Sequence, residues 1–244
     1  METFFHKHVN ELTSTNEYLW KLSEKQELED FYTISAGFQK SGKGQDDNIW
    51  ESAKDKNILL SIIVNPSFLL AENVFQISRW VSIAIINYLK EKGLRNIQIK
   101  WPNDIYIADR KIAGILIQNA MLGHHISKSM IGIGLNINQT VFVSNAPNPV
   151  SLKQLTQQDY SVNDEISSLI IYLQKNYRLL KSAPQQLIQD YHKFLYQRDQ
   201  WCNYQIGEET IKGMIKGVDQ FGRLVLEKSN GSTLVLDIKE VRFL

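Results

Sequence analysis

The chain has 244 residues, 43% of them hydrophobic and 22% charged, with a formal net charge of +1. That length suggests one or two domains with a large core, and near-neutrality excludes a global electrostatic pull toward nucleic acid or an anionic membrane. The sole cysteine, Cys202, excludes an internal disulfide and fits a reducing, cytoplasmic setting.

Met1 to Asn10 carries Glu2, His6, Lys7 and His8 and lacks the apolar centre of a secretory signal. His6 and His8 alternate on a first strand. Ser14 with Glu17 has the spacing of a capping box, which predicts a helix carrying Tyr18, Leu19 and Leu22 inward. Phe31 to Phe38 reads as a strand, and Ile58 to Val64 as a buried one. The polar, glycine-containing stretch between them, Gln39 to Asn57, reads as a long mobile loop of the kind that is usually functional. No apolar run approaches the ~18 residues of a membrane-spanning helix, because Ser61, Asn65 and Pro66 break the longest candidate.

Val74, Ile77, Trp80, Val81, Ala84, Ile85, Tyr88 and Leu89 recur at helical spacing, with Gly93 as the stop. Ile97–Trp101, Ile105–Ile107, Ile112–Ile117 and Met130–Ile137 read as strands, and Asp164–Leu180 and Pro184–Gln197 as amphipathic helices. The expected class is α+β, a mixed β-sheet backed by helices. After Trp201, turns at Gly207, Gly222 and Gly231 punctuate five short strands, which suggests a small barrel; the domains are therefore placed at 1–200 and 201–244.

The stretch Lys100-Trp101-Pro102-Asn103-Asp104-Ile105-Tyr106, followed by Asp109-Arg110-Lys111-Ile112-Ala113-Gly114-Ile115-Leu116, reads as a hairpin that brings Asp104 and Lys111 together. Gly114 leaves the backbone bare beside the Lys111 cation, a place for an anion. The Gly42-Lys43-Gly44 loop likewise lets backbone N–H groups approach an oxyanion, although it is neither a Walker nor a Rossmann sequence. The five histidines form no ligand cluster, and no Ser/His/Asp or Cys/His set emerges.

These residues resemble the central signature of biotin protein ligases. Ser14-Thr15-Asn16, the loop Gln39-Lys40-Ser41-Gly42-Lys43-Gly44 leading to Trp50, and Gly132-Ile133-Gly134-Leu135-Asn136-Ile137-Asn138 match in the same order. The resemblance spans nearly the whole chain and implies the class II synthetase-like, biotin/lipoate ligase fold with a C-terminal SH3-like module. It implies that biotin and MgATP give biotinyl-5′-AMP, from which biotin passes to a lysine of a biotin carboxyl carrier protein domain, the enzyme being a monomer or homodimer.

The resemblance assigns Lys111 and Asp104 to catalysis, Asp104 also holding Mg²⁺. Biotin falls to Ser14, Thr15, Asn16, Gln39, Lys43, Gly44, Gln45, Lys111, Gly114 and Ile115. Hydroxyl and amide groups among them suit a ureido ring, which needs both donors and acceptors. ATP or the adenylate falls to Gly42, Lys43, Trp50, Asn103, Lys111 and Asn136, with Trp50 folding over the ligand.

The chain departs from the family where arginines are usual: Lys43 keeps charge without the bidentate fork, and Gln45 has none. Asp46 and Asp47 make the loop more acidic than the family's. A repressor of the same family would carry a winged helix before Ser14, where 13 residues stand, so specific DNA binding is not expected. A lipoate or octanoate transferase would need a purely apolar pocket, and a catalytically dead binding protein is the remaining alternative.

Overall fold

The computed structural model describes residues 4–45, 48–143 and 148–244. Asp46 and Asp47, whose charge bears on the loop, lie outside the described residues. In chain order the main part contains β1 (His6–Leu12), α1 (Thr15–Ser23), β2 (Tyr32–Gln39), β3 (Ile58–Val64), α2 (Phe75–Glu91), β4 (Ile97–Lys100), β5 (Asp104–Ile107), β6 (Arg110–Leu122) and β7 (His125–Leu135). Three helices follow, α3 (Leu152–Thr156), α4 (Val162–Ser182) and α5 (Pro184–Lys193). The last segment holds β8 (Trp201–Ile206), β9 (Glu209–Val218), β10 (Leu224–Lys228), β11 (Thr233–Leu236) and β12 (Val241–Phe243).

The first seven strands form one sheet in the order β1-β2-β3-β7-β6-β5-β4, with β1 parallel to β2 and every other pair antiparallel. β3 is buried at every position because both its faces are covered. Ile62 and Val64 join Trp80, Ile83, Leu169 and Leu173 in the larger core, whereas Ile63 turns the other way to join Leu19, Leu28, Ile34 and Met130 beneath α1. Ser61 shares that second face by the alternation of a strand. The site is built on the α1 side.

Three local expectations change. Ser14 precedes α1 as its N-cap, but its side chain caps nothing, and Glu17 is drawn out of the capping box by Lys43, 2.6 Å away. The helix predicted to run to Gln197 ends at Lys193, because the next residues pair with the sheet edge: Ile99 N–H donates to the Phe194 carbonyl at 2.7 Å and Tyr196 N–H to the Ile99 carbonyl at 2.9 Å. β6 and β7 extend well beyond the apolar runs that announced them, since polar residues near the hairpin tip still pair.

The C-terminal strands form a five-stranded antiparallel sheet in the order β11-β10-β9-β8-β12. β11 and β12 are its two edges, so the sheet is open where a closed barrel was expected. β12 pairs with β8 instead of meeting β11, and its Phe243 packs near Tyr204 of β8 and near Tyr196 of the preceding part.

Several hydrogen bonds tie this sheet to the rest, among them that from the Val218 N–H to His192 Nε2 at 3.0 Å. Trp101 Nε1–H donates to the Gly222 carbonyl at 2.9 Å, and the buried Arg79 guanidinium donates to the Asp219 carbonyl at 2.6 Å. Since Trp101 stands three residues before Asp104, the docking of the C-terminal sheet bears directly on the hairpin.

Candidate active site

Strand register brings distant residues into two rows on the α1 face. One row runs Asp104, Gly114, Gly134, Leu59 across β5, β6, β7 and β3; the next runs Leu116, Gly132, Ser61, Ile34. The glycines make the floor of a cavity of about 580 Å³. A side chain at Gly132 would collide with the Asn16 amide, and one at Gly114 would stand 2.9 Å from Trp50 Cζ3. Close approach, not turn geometry, fixes glycine at these positions.

At the first end of the cavity, Ser14, Thr15 and Asn16 present the start of α1, all of them buried. Gln39, the last residue of β2, is fastened to them: its Oε1 accepts the Thr15 N–H at 2.7 Å and lies 3.0 Å from Thr15 Oγ1. Ser61, which sequence reasoning passed over, joins the set through Thr15 Oγ1 at 2.8 Å and a short contact with Asn16 Oδ1. A serine inside a continuous apolar strand was the available signal.

At the other end stand Asn103, Asp104 and Lys111. Lys111 Nζ is 2.7 Å from Asp104 Oδ1, while no donor meets that oxygen at hydrogen-bonding angles, so the pair is a charge contact. Burial pushes the Asp104 carboxyl above the usual range, opposed by Lys111 and more weakly by Lys100. Lys100 stands outside the cavity wall, its ammonium over the rings of Tyr106 at 5.0 Å and Phe243 at 5.2 Å, and burial lowers its pKa. Asn103 Nδ2 donates to the Ile115 carbonyl at 2.9 Å, and Ile115 N–H returns a bond to the Asn103 carbonyl, which locks the turn onto β6.

In the stretch from Gln39 to Asn57, read from sequence as a long mobile loop, the described residues on either side of positions 46 and 47 pair with one another. Trp50 N–H donates to the Gly42 carbonyl at 2.9 Å, Gly44 N–H to the Asn48 carbonyl at 2.6 Å, and Lys43 bridges Ile49. The Trp50 indole lies over Gly114 and Gly134, with Lys111 Nζ 5.5 Å from its ring. Its Nε1–H is buried with no acceptor. Lys43, Gly44 and Gln45 line the cavity, but the Lys43 ammonium is engaged by Glu17; Gly42 packs behind the lining, against Trp50 and Gln39.

A second loop closes the far wall. Asn136 is buried, with Nδ2 donating to the Val150 carbonyl at 3.1 Å, and its Oδ1 is a buried acceptor with no donor. Gln139 clamps the two loops together: its Oε1 accepts from Ala53 N–H at 2.8 Å and Asn57 Nδ2 at 2.7 Å, while its Nε2 reaches Glu51 at 3.1 Å. Glu51 also accepts from Val143 N–H at 2.9 Å. Neither Gln139 nor Glu51 was singled out from sequence.

The cavity thus has donors and acceptors at one end, a cation paired with a carboxylate at the other, and an apolar stretch of Gly114, Ile115 and Ile133 between. An elongated molecule with a polar ring and a carboxylate tail suits it. Among the described residues no three His, Cys, Asp or Glu side chains converge on a metal site. A single carboxylate such as Asp104 fits Mg²⁺, which commonly takes one or two carboxylates and completes its shell with phosphates and water. No described helix is long and apolar enough to cross a membrane.

A family model described as the biotin/lipoate A/B protein ligase family matches residues 9–136, more than half the chain, and one described as the biotin protein ligase C-terminal domain matches residues 200–241. The bifunctional ligase/repressor BirA of Escherichia coli is 27% identical over 226 residues, covering 89% of this chain and 67% of BirA. Its Bacillus subtilis counterpart is 26% identical, with 81% of this chain and 62% of that protein covered. The chain therefore spans about two thirds of the length of these relatives. Among solved structures, biotin protein ligase from Aquifex aeolicus in complex with biotin and ATP superposes with a TM-score of 0.81 over 98% of both chains at 19% identity, a likeness of fold.

Proposed function

The chain belongs to the biotin/lipoate A/B protein ligase family, and from that premise we propose that it is an ATP-dependent biotin–protein ligase. The observation that carries the reading is the placement of Lys111 at one end of a cavity whose other end is lined by Ser14, Thr15, Asn16 and Gln39. A ureido ring fits the polar end and a valeryl chain the apolar stretch beside Ile115 and Ile133, which leaves the carboxylate beside Lys111.

In the first step a biotin carboxylate oxygen attacks the α-phosphate of ATP and pyrophosphate leaves. Two anions must approach, and Lys111 supplies the neutralising charge where negative charge grows. Asn103 and Asp104 would hold Mg²⁺ and phosphate oxygens, the ion supplying further charge neutralisation. The orphaned Asn136 Oδ1 offers an acceptor to the adenine amino group. Trp50 covers the reactants and excludes water.

In the second step the ε-amine of a carrier lysine attacks the mixed anhydride, AMP leaves, and the amine's proton passes to a nearby base, for which Asp104 is the candidate. The carrier is a biotin carboxyl carrier protein domain, and the chain divides near residue 200 into catalytic and SH3-like parts. Isotopic pyrophosphate exchange into ATP, run with biotin and then with lipoate, tests the reading. Exchange that depends on biotin supports it; exchange with lipoate alone points to the other branch of the family.

A further inference from the structure

The two residues that lead into Pro102-Asn103-Asp104 are held from opposite faces by the C-terminal segment. Lys100 opposes Asp104 on the α1 face, with its ammonium over the ring of Phe243 in β12 at 5.2 Å. Trp101 points the other way, into the larger core, where its Nε1–H meets the Gly222 carbonyl. Gly222 belongs to the turn between β9 and β10, and that turn is braced from within and from without. Within it, Asp219 Oδ1 accepts the N–H of Phe221 at 3.0 Å and that of Arg223 at 2.9 Å, while Gly222 N–H donates to the Asp219 carbonyl at 3.1 Å. From without, the Arg79 guanidinium of α2 donates to the Val218 and Asp219 carbonyls at 3.3 and 2.6 Å, and Gly222 lies so close to α2 that a β-carbon there would overlap the Phe75 ring.

A turn fixed to α2 in this way is a rigid post, and the carbonyl it presents takes the one donor that an indole has. From Trp101 the path to the site is short. Asn103 locks onto β6 through Ile115, and Asp104 opens β5 beside Lys111. We propose that Trp101 is a positioning residue through which the turn from Asp219 to Arg223 sets where Asn103 and Asp104 stand against Lys111, so that the docking of the C-terminal sheet governs the first chemical step. The inference rests on the ligase reading and deepens it. Without the Gly222 carbonyl, the indole N–H is a buried donor left unpaired, a costly state that is relieved by movement of the backbone three positions before Asp104. Displacements of about 1 Å at a reacting centre can lower rates ~10²-fold. The closed end of the cavity hangs on α1 and β2 instead, through Thr15, Asn16 and Gln39, and has no part in this path.

Two variants of the whole chain test this. Trp101→Phe removes the donor and keeps a ring in the core, whereas Gly222→Ala, at a φ of +92°, displaces the acceptor from the C-terminal side. Biotin-dependent pyrophosphate exchange at saturating biotin and ATP should fall about tenfold in each. The double variant should be no slower than the slower single one, because both changes act through one bond. Biotin affinity by calorimetry, set at the closed end, should stay close to that of wild type. In ¹⁵N-resolved spectra, Gly222→Ala should move the amide resonances of Asn103 and Asp104 and leave those of Thr15 and Asn16 in place. Unmoved Asn103 and Asp104 resonances, additive losses, or a biotin affinity that falls by the same factor as exchange would each overturn the proposal. So would exchange at the wild-type rate in Trp101→Phe, an outcome that does not need Gly222→Ala to fold. A wild type with no biotin-dependent exchange would overturn the ligase reading instead, and the resonances would still decide whether the turn sets the hairpin.

Discussion

Trp50 rests directly on Gly134: a β-carbon at that position would overlap the indole ring. Gly134→Ala should therefore keep the lid from seating while leaving β7 intact, since alanine is easily accommodated in a strand. Displacements of about 1 Å at a reacting centre can lower rates ~10²-fold, and a loss of at least tenfold in adenylate formation is expected. In a Trp50→Ala background the same change should be nearly silent. Single-turnover rates of the four proteins decide this; additive losses would show that Gly134 acts through something other than the indole.

Lys111→Ala removes the cation at the point where carboxylate and phosphate meet. Electrostatic contacts of this type are worth ~10²- to 10³-fold in rate. Adenylate formation should fall by that much with the biotin affinity of the closed end largely kept. A rate within tenfold of wild type would show that another group carries the charge.

Two histidines tie stability to pH. Burial, with His8 beside it, holds His6 below the usual imidazole value, and burial does the same for His192, whose Nε2 accepts the Val218 N–H at 3.0 Å. Both folded-state values are depressed, so their contribution is present above the unfolded value of about 6.5 and is lost as pH falls through the folded values. Denaturant midpoints should hold steady from pH 8 to 7 and decline from about pH 6.5 downward. His6→Gln should shallow that decline; a midpoint flat to pH 5 in the wild type would contradict it.

Gln45 lines the cavity where the family usually has a guanidinium. Charge-assisted hydrogen bonds contribute ~1.5 to 3 kcal/mol, so Gln45→Arg should slow release of biotinyl-AMP by roughly tenfold or more. Loss of radiolabelled adenylate in the absence of carrier is the measurement. An unchanged or faster release would mean that the loop meets the phosphate through other residues.

The hairpin that pairs Asp104 with Lys111 was legible because apolar alternation and the Ala108-Asp109-Arg110 break fix its register, and register fixes which side chains are neighbours. The β3 core strand and α2 were legible from local periodicity for the same reason. The features that were missed are tertiary. Glu17 has capping-box spacing, yet Lys43, 26 residues away, takes its carboxylate. Ser61 has no periodic signature, because its partners lie 45 and 46 residues back in the chain. The open C-terminal sheet leaves β12 at an edge, with Phe243 beside Lys100 of the preceding part, a contact that no pattern within residues 201–244 encodes.

The Gln139 clamp also decides how the site opens. Ala53 is tied to Gln139 and stands three positions after Trp50. Extended chain reaches at most ~3.3 to 3.6 Å per residue, so the Trp50 backbone stays within a radius of roughly 10 Å of that post. Opening of the lid is thus a swing about Ala53 within that radius, and the loop need not detach from Gln139 for the indole to lift.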